Sequence, residues 1–186
     1  MKALFLTSSY PLHPGDWRGG FVRDLARALV DQGLDVDVAV PRPATGEFVP
    51  EEGGPREVAL PSVLPGRARG FHGTGLEANL IADPLAAIAI PPFLLAYATE
   101  AMVRALFADV VVSHWIVPMG AVGAVVARTV RKPLVIVAHS APPAVFRLPG
   151  AVQALRALLE ASTVTVCVSD AVRAAVETAA PGACRM

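Results

Sequence analysis

The chain opens on a short apolar run, Lys2–Thr7, followed by a loop rich in Gly and Pro from Ser8 to Gly20. From Phe21 the rhythm becomes that of a helix. Phe21, Val22, Leu25, Ala26, Leu29 and Val30 fall on one face, and Arg23, Asp24, Arg27 and Asp31 on the other. Gly33 is placed to end that helix as its first residue beyond the C-cap. Leu34, Val36, Val38 and Val40 then alternate with Asp35, Asp37 and Ala39, the period of a strand. Strand, loop, helix and strand within so few residues make a βαβ unit, which implies a parallel sheet.

Residues 41–75 are dominated by Pro, Gly and scattered charge, with one short strand candidate at Glu57–Leu60. They read as an excursion on the carboxyl side of the sheet. Leu76–Phe107 reads as helical, broken at Pro91-Pro92 because an interior proline removes a helix hydrogen bond. Beyond it the alternation is regular. Strands are expected at Asp109–Ser113, Leu134–Ala138 and Val164–Val168, and helices at Met119–Val130, Val152–Ala161 and Asp170–Ala179. The nearly all-aliphatic strands suit a sheet with helices on both faces. The fold class is therefore α/β, a single Rossmann-like domain over residues 1–186. Its sheet should be all parallel, with the 2–7 strand between the 34–40 and 109–113 strands.

Composition narrows the function. The 186 residues are 54% hydrophobic and only 17% charged, enough for a large core and against disorder. Sixteen basic residues balance sixteen acidic ones, which disfavours a nucleic-acid partner, since backbone affinity needs a clustered positive excess. Cys167 and Cys184 form no CxxC pattern, so neither a disulfide framework nor a metal cluster is expected. The amino terminus lacks the apolar length of a signal peptide. Pro91, Pro92, Glu100 and Arg104 interrupt the apolar stretch 84–107 before it reaches the roughly 20 residues of a membrane span. A cytoplasmic location is expected, with membrane contact peripheral at most.

In open parallel sheets ligands bind beyond the carboxyl ends of the strands, so the residues just after each strand carry the candidates. After the first strand, Gly19 and Gly20 open a helix, where backbone N–H groups and the helix dipole favour phosphate; a tight turn explains the pair equally well. The loop lacks GxGxxG and no carboxylate follows Val40, which puts a nicotinamide-dependent oxidoreductase last among the readings, and the lack of GxxxxGK[ST] excludes P-loop phosphoryl transfer. His114-Trp115 follows one strand and His139-Ser140 the next, so two histidines at neighbouring strand tips can converge on one crevice. No Cys, Asp or Glu beside them completes a metal-ligand set, and no GxSxG elbow supports a triad. Ser169 is placed to N-cap the last helix.

Taken together, Lys2–Pro11, Gly19–Leu29, Asp109–Trp115, Lys132–His139 and Val164–Ser169 resemble the N-terminal domain of family-four retaining glycosyltransferases, which have the two-domain GT-B fold. The resemblance covers nearly the whole chain outside 41–107. It implies that Gly19 and Gly20 approach the donor diphosphate, that His139 lies beside the transferred sugar as the catalytic histidine, and that His114, Trp115 and Ser140 border the acceptor. It implies no metal and no cofactor, the nucleotide sugar being a substrate; the acceptor would be a sugar, a lipid or a small molecule. Ser140 stands where relatives carry glycine, and Ala141-Pro142-Pro143 supplies none of the carboxylate they carry next.

The donor-binding domain would lie beyond Met186, in cis or on a partner chain, and residues 1–186 alone should transfer nothing. The crevice edge that such a domain covers would favour association, with a homodimer as one form. The competing readings are a non-catalytic acceptor-binding or regulatory module, one subunit of a split enzyme, and a nucleotide-sugar epimerase. The epimerase would need acidic residues in the crevice, where Asp16 is the one candidate.

Overall fold

The computed structural model describes residues 1–11, 13, 15–41, 49, 53–60, 83–143, 146 and 150–184. Six strands form one sheet: β1 (Lys2–Leu6), β2 (Asp35–Pro41), β3 (Arg56–Leu60), β4 (Val110–His114), β5 (Leu134–Ala138) and β6 (Val164–Cys167). Their order is β3-β2-β1-β4-β5-β6 and every pairing is parallel. The first strand lies between the second and the fourth, as the alternation implied. Most of the expected 41–75 excursion, and the expected helix over 76–82, lie outside the described residues.

Helices follow from the crossovers: α1 (Gly20–Asp31), α2 (Ile90–Ala105), α3 (Ala121–Val130), α4 (Ala151–Glu160) and α5 (Asp170–Ala179). A 3-10 turn, Pro84–Ala89, leads into α2, capped where Asp83 accepts the Leu85 amide at 3.1 Å. The break expected at Pro91-Pro92 does not occur inside a helix. The two prolines occupy the first turn of α2, where backbone amides have no intrahelical partner to lose. Helix α3 begins two residues later than expected, because Ile116–Gly120 forms a wider turn ahead of it. Gly33 closes α1 at φ 83°, with Leu34 donating to the Leu29 carbonyl, and Ser169 caps α5 by accepting the Val172 amide at 3.3 Å. Both ends were legible in the sequence.

The strands sort their side chains by parity. Ala3, Phe5, Val36, Val38 and Val40 pack with Val22 and Ala26 of α1 on one face. Leu4, Leu6, Val111, Leu134 and Ile136 pack with the other helices on the opposite face, in the larger core. Helices thus flank both faces, unevenly. On the α1 side Val166 and Val168 remain 44% and 51% exposed at the β6 edge.

Two close contacts fix the carboxyl edge. Tyr97 of α2 is fully buried, and its hydroxyl donates to the Ala39 carbonyl at 2.7 Å while accepting the Thr7 amide at 3.1 Å. The ends of β1 and β2 are thereby tied together, and burial pushes that phenol up, keeping it a neutral donor. Gly123 lets α3 press on β4: a Cβ there would collide with the Ser113 hydroxyl and sit 3.0 Å from Leu134 Cδ1.

Gly123→Ala is therefore expected to destabilise the protein by about 1–3 kcal/mol, the range for overpacking. The Ser113 hydroxyl is buried without a hydrogen-bond partner among the described residues, so Ser113→Ala alone should cost little. The double variant should recover part of the glycine loss. Denaturant titration of the three variants decides it, and strictly additive effects would contradict the contact.

Candidate functional site

At the carboxyl edge the last residue of β4 and the first beyond β5 meet. His114 Nδ1 lies 2.9 Å from His139 Nε2, with the two ring planes 16° apart. Adjacent parallel strands produce this contact, since His114 pairs in register with Val137 and His139 follows one residue past Ala138. His114 is wholly buried against Phe5, ring centroids 4.8 Å apart, whereas His139 is half-buried. Burial pushes His114 down to about 3, with His139 beside it adding to the shift, and pushes His139 down to about 4. Both rings are uncharged at neutral pH.

Aromatic residues close around the pair. Trp115 and Phe21 lie 5.0 and 4.6 Å from His139 and 5.8 Å from each other. Trp115 sits at φ 69°, a conformation uncommon for a residue with a large side chain, and its amide is held by the Val137 carbonyl at 2.8 Å. Strain of this kind persists only where the surroundings enforce it. Phe21 belonged, by periodicity, to the core face of α1. It is instead 49% exposed, as is Leu25 at 39% on the same face, and its ring lies 4.6 Å from that of His139. Helical periodicity alone offered no signal for that difference.

The glycine pair divides in two. Gly19 is the N-cap of α1 at φ 66°, and a Cβ there would collide with the Ser9 backbone, so the turn itself requires this glycine. Gly20 has no such need; its Cβ would meet only Arg23 Nη2 at 3.9 Å. The Gly20 amide already donates to the Trp17 carbonyl at 3.1 Å. Asp16 is buried and holds the Arg18 guanidinium through both oxygens, at 2.8 and 3.0 Å. Its carboxylate is committed to its own loop, which weakens the epimerase reading. Ser140 is exposed beyond the β5 tip. An open groove of about 460 Å³ follows it, lined by Pro142, Pro143, Phe146 and Val152 with Ala175 and Thr178 of α5.

The sequence pattern of Glycosyltransferase Family 4 matches residues 19–182, most of the chain. The chain belongs to that family. No curated protein matches this family-4 domain in sequence. Among solved structures it is similar to sucrose-phosphate synthase from Thermosynechococcus elongatus, with TM-score 0.60 and 16% identity over 94% of this chain and 80% of that one. It is also similar to Anabaena Alr3699/HepE in complex with UDP and glucose, with TM-score 0.61, 18% identity, and coverage of 96% of this chain. The calicheamicin glycosyltransferase CalG4 shares TM-score 0.52 and 15% identity over 89% of this chain. At these identities the likeness is one of fold, that of a Rossmann-like GT-B half. The family-4 domain spans 41% of the Anabaena chain and 47% of CalG4.

Among the described residues of the family-4 domain no three His, Cys, Asp or Glu side chains come together, and no helix is long and apolar enough to cross a membrane. Cys167 and Cys184 are free, and burial raises both thiols.

Two outcomes follow from this geometry. Gly19→Ala should cost more than about 1 kcal/mol, since an L-residue is strained there, whereas Gly20→Ala should be near neutral. Equal melting temperatures for the two variants would contradict the division. The histidines also make stability depend on pH. Unfolded, each takes up a proton near its ordinary 6.5; folded, they resist until about 3 and 4. The unfolded state therefore binds more protons between about pH 4 and 6.5, and stability falls as pH is lowered through that window. For fully buried His114 the slope approaches about 1.4 kcal/mol per pH unit; His139, half-exposed, contributes less. His114→Gln should flatten the dependence of melting temperature on pH, and an unchanged slope would contradict the burial.

Proposed function

We propose that this family-4 domain is the acceptor-side half of a cytoplasmic glycosyltransferase that moves a sugar from a nucleotide-sugar donor with retention of configuration. One observation carries the reading: His139, uncharged and open on one side, stands against Phe21 in the first turn of α1, with Trp115 as the facing wall. The Anabaena structure in complex with UDP and glucose supports the donor class.

Each residue then has a role. The positive end of α1 draws the donor diphosphate, and Gly20, without a side chain, lets it come close. Because the Gly20, Val22 and Arg23 amides already donate to the Trp17 and Gly19 carbonyls, the charge meets chiefly the helix dipole. Gly19 shapes that turn. His139 hydrogen-bonds the transferred sugar and holds the anomeric carbon toward the acceptor. Trp115 and Ser140 border the acceptor, and the groove beside Pro142 and Phe146 offers it an apolar surface. His114, with no exposed surface, bears on the ligand only through His139. In a front-face transfer the acceptor oxygen bonds the anomeric carbon as the bond to diphosphate breaks, and the departing phosphate oxygen takes the acceptor proton. The nucleotide is held by a second domain, in cis or as a partner chain, and residues 1–186 without it transfer nothing.

The test joins turnover and stability on one variant. With the donor-binding domain present, His139→Ala should lower kcat by about 100- to 1000-fold, the range for loss of one contact that matters in the transition state. Its melting temperature should move little. Normal turnover with reduced melting temperature would remove His139 from the mechanism, and an inverted first product by anomeric NMR would overturn retention.

A further inference from the structure

Two neutral imidazoles in hydrogen-bond contact share one proton between the facing nitrogens, so the contact has two forms. In one, His114 Nδ1–H donates to His139 Nε2. In the other, His139 Nε2–H donates to His114 Nδ1. The 2.9 Å separation is shorter than any face-to-face stacking distance, so the rings meet edge to edge in nearly one plane, the geometry a linear N–H···N bond needs.

The far nitrogen of His114 decides between the two forms. His114 Nε2 is buried and has no hydrogen-bond partner among the described residues, and the ring as a whole is 0% exposed. If His139 donated, His114 would have to carry its own proton on Nε2, and a buried N–H would be left with no acceptor. If His114 donates, Nε2 is a bare lone pair. Orphaned buried N–H groups are rarer and dearer than under-used acceptors. Among the described residues the influences on protonation of the His114 ring are its burial, against Phe5 4.8 Å away, and the neighbouring His139, so no fixed charge favours a proton on Nε2.

We infer that His114 is a positioning residue that locks His139 into the tautomer protonated on Nδ1. His139 Nδ1 has no partner among the described residues, and it is not one of the buried unpaired atoms, so it is open to solvent and to a ligand. His139 therefore meets its ligand as an uncharged hydrogen-bond donor and not as an acceptor or base. The ligand atom it fits is an oxygen with a free lone pair, a hydroxyl or ring oxygen of a sugar. That last step rests on the glycosyltransferase reading; the tautomer itself does not.

The two are tested separately. Long-range ¹H–¹⁵N spectra of the histidine-labelled chain at neutral pH report which ring nitrogens are protonated, without any need for activity. The expected result is protonation on Nδ1 in both His114 and His139. A His139 protonated on Nε2 would overturn the lock, whatever the protein does. His114→Phe fills the site without a donor and should release His139 to a mixture of tautomers, while His114→Asn, which returns an N–H near the same place, should restore the Nδ1 form. A spectrum of His139 unchanged in His114→Phe would also overturn the proposal. With the donor-binding domain present, His114→Phe should lower kcat by about tenfold to a hundredfold with KM little changed, as for loss of other orienting partners, and His114→Asn should recover most of it. If His139→Ala leaves turnover normal, the functional reading falls, and the spectra still decide the tautomer.

Discussion

β1 is paired in parallel on both edges, and four of its five residues are buried, so each of its faces must satisfy a different core at once. Phe5 looks toward α1 and Leu4 and Leu6 toward the other helices. The Tyr97 hydroxyl then fixes where the strand ends, by holding Thr7 to Ala39 across to β2. Just beyond it the Thr7 hydroxyl holds Ser9, whose backbone packs closely against Gly19 at the entry to α1. Phe5 itself is the floor beneath His114. The central strand thus sets both the entry to α1 and the depth of the histidine pair.

The crevice wall built on that frame is uncharged. The neutral imidazole of His139, an indole and a phenyl ring line it, with the neutral His114 ring sealed behind, and the Asp16 carboxylate of the loop before α1 is occupied by Arg18. Such a surface recognises by shape, stacking and directed hydrogen bonds, with little help from fixed charge. A charged ligand would find its compensation at the amino end of α1 or from another body.

Much of this was legible in the residues, for reasons that differ by element. The strands announced themselves because burial on both faces leaves little but Val, Ile and Leu, and their parallel order followed from the helices between them. Gly33 and Ser169 marked helix ends because their roles are local. Pro91-Pro92 misled, since a proline pair reads alike in a first turn and in an interior. Phe21 was hidden because periodicity records which face a residue is on, not whether sheet lies beneath it. That the two strand-tip histidines could converge was readable from strand adjacency; that one would be sealed and the other open was not, since the depth of His114 depends on Phe5 packing against it from another strand. Gly123 gave no signal at all, its need arising from a serine on another element.

The ionic groups of the sheet gather at its other end. Lys2 reaches Asp37 at 3.1 Å and Asp35 at 3.4 Å, and Arg56 approaches Asp37 at 3.8 Å, where β1, β2 and β3 begin. Parallel strands carry every amino end to this pole and every candidate site residue to the opposite one. Met1, 73% exposed, projects from the charged pole. An affinity handle or solid support joined there would hold the molecule with its crevice turned outward to the solution, the strands acting as a built-in orientation axis.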